Sequence, residues 1–491
     1  MKKSVLVCFR ARLDSDARAS FASNLLKEKK NYNTIFLHDR KIDFHTNKLI
    51  SIFKFNKVIY LKNIYLYFNL ILVVNFFYLS FLSIVKLMFF KKSWLVNNFY
   101  IKNIYVGDLV YDQYARFHYD FKSNFFSFKL IKLVISTIFK VLTLRYIIKK
   151  NNVSIYVATS YSYASLSSLA IRVSTYLNIK TLMIGGNYFK IFKDYNDALS
   201  GFYLISKSRL EKFKNNTEKL VLAKKYLDMR LNGESFKKDK KESSLDFNEL
   251  DAKRAFGDKE EISKKEFLKE YNIDESRPIF VLATHAFKDA NHLYGKFLFD
   301  DFIDELEFIL EQVKKNNYFH WFIKKHPMSD TYNETDIIKN ILDKKKINNV
   351  QLIDNRISTK SILEIADRIF TSRGTIAIEY AATGKCAYTS SRSYYSELGF
   401  TRLLLKKKDL VNVLNFEKIN KLNNDDIINA SCALFIRKDE ILRENVYNLA
   451  EPQRHIGRDQ FLSQINKNIN SQNKLLTVKK AYLSILGEFL S

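Results

Sequence analysis

The feature that most limits what this chain can fold into is a pair of strand ends, at 320–327 and 368–375, where apolar runs break off into residues suited to holding an anion. The first reads His-Trp-Phe-Ile-Lys-Lys-His-Pro. Its apolar middle predicts a short buried strand, and Pro327, with no N–H to give to a sheet ladder, stops it. Lys324, Lys325 and His326 are thereby left at the strand's carboxyl end. The second stretch predicts a helix from 362, a strand over 368–371, a turn of Ser372, Arg373, Gly374 and Thr375, a helix to 382 and a further strand. Strands and helices alternating in this way make parallel βαβ units, and open parallel sheets bind ligands outside the carboxyl ends of their strands. Two hydroxyls, a permissive glycine and the N–H groups of a helix start suit a phosphate, and Arg373 adds a positive charge. Glu379, one turn beyond Thr375, would repel phosphate and is better matched to a ribose diol. The blander readings are a satisfied core histidine at 326, a plain helix cap at Ser372 and Thr375, and a dipole-complementing carboxylate at Glu379.

At 491 residues the chain is too long for one core and fits two domains of roughly 200 residues with connections. Its 47% hydrophobic content is enough to fill both. The net charge of +28 suits sugar nucleotides, an anionic acceptor, an anionic leaflet or nucleic acid, and does not by itself choose among them. No RRM, zinc-finger or helix-turn-helix pattern accompanies the charge, so a nucleic-acid partner is not expected. Cys8, Cys386 and Cys432 have no metal-ligand spacing, which predicts a reduced, cytoplasmic compartment.

Taken in order, a βαβ opening over 5–37 starts a first Rossmann-like domain running to 234. A strand over 104–106 leads into Gly107, Asp108 and, one turn later, Asp112. These two carboxylates are the candidates for the base that takes an acceptor hydroxyl's proton; the alternative is that they cap the helix. Arg116 either grips an acidic acceptor or pairs with Asp112. The charge-free run 64–85 is long enough to span a bilayer, to lie on anionic lipid, or to form a core or oligomer-contact helix. Lysines flank both of its ends and it sits inside a predicted soluble domain, so the expectation is peripheral contact with the inner face of the membrane. The polar stretch 235–262 reads as a linker. A second Rossmann-like domain covers 263–430, and helices over 431–491 are expected to cross back to the first. The second domain's first strand, 279–283, ends at His285, expected to face the donor. Asp289 and His292 follow, but without a Cys or Glu ligand no metal is expected.

The His-Pro block, the Thr-Ser-Arg-Gly-Thr turn and the Glu that follows resemble the nucleotide-sugar half of GT-B glycosyltransferases that build bacterial surface polysaccharides. They are similar to sialyltransferases, capsule Kdo transferases and CDP-glycerol-using enzymes. Gly-Asp-Leu-Val-Tyr-Asp-Gln-Tyr-Ala-Arg over 107–116, His-Ala-Phe-Lys-Asp-Ala-Asn-His over 285–292, Phe-Asp-Asp over 299–301 and the 394–400 segment resemble surface-carbohydrate (capsule or lipopolysaccharide) biosynthesis proteins. The resemblance implies an α/β GT-B fold, two Rossmann-like domains facing each other across a cleft. It implies a glycosyltransferase moving a sugar, with a CMP-activated acidic sugar the first guess, to a glycan or glycolipid acceptor without a cofactor. On this reading His285, Lys324, His326, Pro327, Ser372, Arg373, Gly374, Thr375 and Glu379 hold the donor. His326 stabilises the leaving nucleotide, Asp108 or Asp112 acts as base, and Arg116 binds the acceptor. The alternatives are a nucleotide-sugar epimerase of the same architecture or a basic noncatalytic membrane-surface or nucleic-acid binding protein.

Overall fold

The computed structural model describes residues 2–9, 13–39, 42–61, 70–119, 125–184, 189–201, 204–235, 247–334, 336–415, 421–443, 448–451 and 453–490. The chain divides into two compact units, Met1–Phe202 with Glu440–Ser491, and Tyr203–Asp439.

The first unit is built on strands β1 (Ser4–Cys8), β2 (Asn33–His38), β3 (Lys57–Tyr60), a small antiparallel pair β4 (Tyr100–Ile101) and β5 (Ile104–Tyr105), then β6 (Val153–Ala158), β7 (Lys180–Ile184) and β8 (Phe189–Phe192). The main sheet runs β3-β2-β1-β6-β7-β8, parallel except for β8. β1 is buried along its whole length, as a run of Val, Leu and Cys covered by helices on both faces must be. The carboxyl-terminal helices Gln453–Asn470 and Gln472–Leu490 complete this unit's core, where Tyr482 meets Phe21 edge-on at 5.0 Å.

The second unit carries β9 (Ile279–Ala283), β10 (His320–Lys324), β11 (Val350–Leu352), β12 (Arg368–Thr371), β13 (Ala387–Thr389) and β14 (Thr401–Leu403), ordered β11-β10-β9-β12-β13-β14 and parallel throughout. Both sheets therefore follow the Rossmann strand order, and the chain is an α/β protein of two Rossmann-like domains. In the second unit the order reverses between β9 and β12, the switch point at which such sheets bind ligands.

The boundary differs from the sequence expectation. Helices Lys207–Lys214 and Thr217–Leu231 belong to the second unit, not the first, because Arg230 is buried there against Glu379. Of the expected linker, 236–246 lies outside the described residues, and Phe247–Phe256 is a helix.

The charge-free run begins outside the described residues, at 64–69, and continues as the helix Leu70–Asn98, which kinks at Lys91 (φ 48°). Among the described residues this is the one helix long and apolar enough to cross a membrane, yet only 17% of its most apolar stretch is buried. It is therefore not the core helix that one reading of the sequence allowed.

Candidate functional site

A cavity of about 210 Å³ opens outside the carboxyl ends of β9, β10 and β12, and its walls all come from the second unit. His285 follows β9, Lys324 ends β10 with Lys325, His326 and Pro327 after it, and Arg373, Gly374 and Thr375 follow β12. Glu379 completes the wall from the helix Ile376–Ala382. The sheet topology thus brings together every donor-side residue singled out in the sequence except Ser372.

Ser372 turns the other way. Its hydroxyl donates to Glu305 of the helix Phe302–Val313, and Ser390 donates to the other oxygen of the same carboxylate. Burial pushes Glu305 up to about 7, against the opposing pull of the two hydroxyls. The expectation that Ser372 faces the donor is corrected accordingly: its side chain ties the β12 turn to the helix behind it.

The turn is close-packed. Gly374 donates its N–H to Thr371 Oγ1 at 3.2 Å, and a Cβ at 374 would lie 2.9 Å from that oxygen, so a side chain there would push the turn apart. Arg373 reaches across to the loop after β9 and donates to the carbonyls of Asp289, Ala290 and Asn291 at 3.2, 2.7 and 3.2 Å. Its guanidinium also stands 5.0 Å from the Phe302 ring centre. Arg373 contributes positive charge to the wall while clamping the two loops that form it.

The two imidazoles stack with ring centres 5.2 Å apart. Burial pulls both below the ordinary histidine range; Arg373 and the other ring add to this at His285, while nearby aspartates partly oppose it at His326. Both rings are therefore neutral near pH 7. The Met328 N–H donates to His326 Nδ1 at 3.2 Å, which makes Nδ1 the acceptor and leaves the proton on Nε2. His326 thus presents a neutral ring whose Nε2–H is available as a donor.

Lys324 is drawn down to about 8, first by burial and then by Lys259, against the pull of Glu379 and Asp251. Any phosphate-bearing ligand held in this cavity would need that proton, so affinity for such a ligand should fall as pH rises through about 8. Stability of the free protein moves the other way. The unfolded lysine keeps its proton to about 10.4, so between the two values the unfolded chain binds more protons and stability rises with pH. Calorimetric titration from about pH 7 to about pH 9.5, repeated on Lys324→Met, checks this; the variant should lose the pH dependence.

Glu379 is paired within the protein: its Oε1 accepts from Arg230 Nε at 2.7 Å, with Nη2 of the same guanidinium 2.6 Å away, and burial raises its pKa against that stabilising charge. Arg230, Asp251, Tyr226, Tyr294, Tyr394 and Arg437 also line the cavity and were not singled out as site residues from the sequence. Tyr394 alone stood inside a quoted motif. The Arg437 guanidinium lies 5.2 Å from the Tyr394 ring centre. Among the described residues, no group of three His, Cys, Asp or Glu is placed to hold a metal ion.

The expected acceptor residues lie on the helix Gly107–Phe117 of the first unit. Asp108 is 1% exposed; Arg172 Nη2 donates to its Oδ2 at 2.6 Å, and the Leu109 N–H donates to Oδ1 at 2.8 Å. Neither aspartate caps the helix with its side chain, since the cap position is Val106. Asp112 is buried as well, while Arg116 is half-buried. Both oxygens of Asp108 are thus engaged, one of them in an ion pair with the buried Arg172.

No family model matches the sequence, and no curated protein matches it. Among solved structures, the chain is similar to a UDP-GlcNAc 2-epimerase from Methanocaldococcus jannaschii, crystallised with UDP-GlcNAc and UDP, at 13% identity over 89% of this chain and 99% of that one, with a TM-score of 0.25. It is also similar to a glycosyltransferase from Rickettsia africae (15% identity, 100% and 99% covered, TM-score 0.23). A third is KpsC, a beta Kdo 2,4 transferase from Thermosulfurimonas dismutans (14% identity, 58% and 80% covered, TM-score 0.32).

Proposed function

We propose that the protein is a glycosyltransferase whose second unit binds a nucleotide-sugar donor in the cavity at the β9/β12 switch point. The observation that carries this reading is the convergence of His326, Lys324, Lys325 and the Arg373 turn on one cavity at strand carboxyl ends, which suits a phosphate that gains charge as the nucleotide leaves. His326 donates through Nε2, Lys324 supplies full charge below about pH 8, and the tyrosines offer faces on which a base can stack. On the acceptor side we assign the base to Asp112 and acceptor binding to Arg116, one turn apart on the helix Gly107–Phe117. A CMP-activated acidic sugar is the donor to try first, and a bacterial surface glycan the acceptor.

The test is a thermal-shift screen of CMP, CDP, UDP and GDP followed by a transfer assay with the matching sugar. A nucleotide at a hundred times its dissociation constant adds about 2.7 kcal/mol to stability. His326→Ala should lose about 1.5 to 3 kcal/mol of nucleotide affinity, roughly tenfold to a hundredfold, with an unchanged fold. Nucleotide binding at full strength in that variant would make the histidine structural. Isomerisation of the donor sugar without any acceptor would replace the transferase reading with an epimerase.

A further inference from the structure

The helix Leu70–Asn98 is inverted relative to an ordinary surface helix. Leu70, Val74, Phe77, Phe81 and Met88 recur at three, four and seven residues, which places them on one line along the helix, and each is more than half exposed. Ser80, Ser83 and Leu87 occupy the opposite face and are buried. The stripe runs from Leu70 to the kink at Lys91, a length of roughly 30 Å at the helical rise. The polar residue within it does not interrupt it, because Asn75 Nδ2 donates to the helix's own Ile71 carbonyl at 2.7 Å. Exposure of large apolar side chains is concentrated in this part of the fold. Of the 19 such residues among those described, 14 fall between Phe44 and Phe128.

Charge is concentrated in the same part of the chain. Residues 44–193 hold 20 Lys and Arg but only three acids, Asp108, Asp112 and Asp120, and so supply 17 of the net +28. The first two of those acids are buried, which leaves the surface more one-sided still. Lys86, Lys91 and Lys92 stand on the helix itself.

We propose that this face docks the protein on the anionic leaflet of a lipid bilayer, with the Leu70–Met88 stripe in the acyl boundary and the lysines among the headgroups. An apolar stripe on a helix that carries Lys86, Lys91 and Lys92, within a stretch of chain so rich in basic residues, is the combination that anionic lipid satisfies on both counts. A second copy of the chain would cover the stripe but would bring two like-charged basic surfaces together. A span would require the helix to leave its own unit, and it is anchored there. Before the kink, Phe76 meets Phe139 of the helix Phe128–Lys150 and Ser80, Ser83 and Leu87 are buried; past it, Trp94, Leu95 and Val96 are buried as well.

The test uses the full chain in flotation with vesicles of phosphatidylcholine alone and with about a third phosphatidylglycerol. Wild type should float only with the anionic vesicles and release in high salt, and Phe77→Gln/Phe81→Gln/Met88→Gln should bind roughly tenfold or more weakly. As a second measurement that does not depend on that variant folding, a tryptophan placed by Phe81→Trp should be quenched by brominated acyl chains. Four outcomes each overturn the proposal: equal binding by the folded triple variant; no quenching at position 81; a wild-type dimer that the triple variant converts to monomer; or wild type that resists carbonate extraction as an integral protein does.

Discussion

Arg230→Met is expected to destabilise the second unit by about 3 to 5 kcal/mol, the cost of leaving a buried charge without its partner. Arg230 and Glu379 are both buried, and two guanidinium nitrogens converge on one carboxylate oxygen at 2.6 and 2.7 Å. Once the arginine is gone, Lys324 alone opposes the effect of burial, so the Glu379 carboxyl is pushed further up and the helix Thr217–Leu231 loses its tie to the helix Ile376–Ala382. Glu379→Gln should cost less, because Asp251, 3.9 Å from Nη2, still faces the guanidinium. The double variant should cost clearly less than the sum of the two, since no charge is then left unpaired. Denaturant unfolding of the three variants measures this directly. If Glu379 served mainly to hold a ribose, Glu379→Gln would instead weaken nucleotide binding and leave the unfolding transition where it is.

What was legible in the sequence is what is encoded locally. Apolar runs ending in Pro327 or in the 372–375 turn announce strand ends, and the βαβ alternation puts those ends on one side of a sheet. Hence His285, Lys324, His326 and the β12 turn could be assigned to a common site before any strand order was known. What the sequence did not reveal depends on contacts distant along the chain. Glu379 pairs with a residue 149 positions away, Ser372 with Glu305 67 away, and Asp108 with Arg172 64 away. Nothing in the spacing of these residues says which partner a carboxylate will find. Glu379, Ser372 and Asp108 therefore read as available for substrate when each has a partner inside the protein. The domain boundary failed for the same reason: the polar stretch after 235 is visible, but the attachment of Thr217–Leu231 to the second sheet rests on the Arg230 contact. For the helix Leu70–Asn98 the sequence supplied length and a charge-free run to 85, and only packing decided that Ser80 and Ser83 face inward and Phe77 and Phe81 outward.

Asp108→Asn is expected to act on stability rather than on chemistry, lowering the stability of the first unit by about 3 to 5 kcal/mol. The reason is Arg172, fully buried on the helix Leu166–Tyr176, whose Nη2 donates to Asp108 at 2.6 Å and to the Tyr161 hydroxyl at 2.9 Å. Its guanidinium also lies 5.8 and 5.6 Å from the Tyr105 and Tyr161 ring centres, contacts that add attraction but no compensating negative charge. An asparagine at 108 keeps the shape and removes the one charge that neutralises the arginine. Arg172→Met should cost about as much from the other side, and combining the two should recover part of the loss, because a neutral amide beside a thioether leaves no buried ion. Nucleotide affinity should be unchanged in all three, since the donor cavity is lined by the second unit alone. Unfolding curves and calorimetric titration, run beside the transfer assay, separate the roles. An Asp108→Asn protein that unfolds at the wild-type midpoint yet transfers no sugar would restore Asp108 as the base and remove the structural reading of the ion pair.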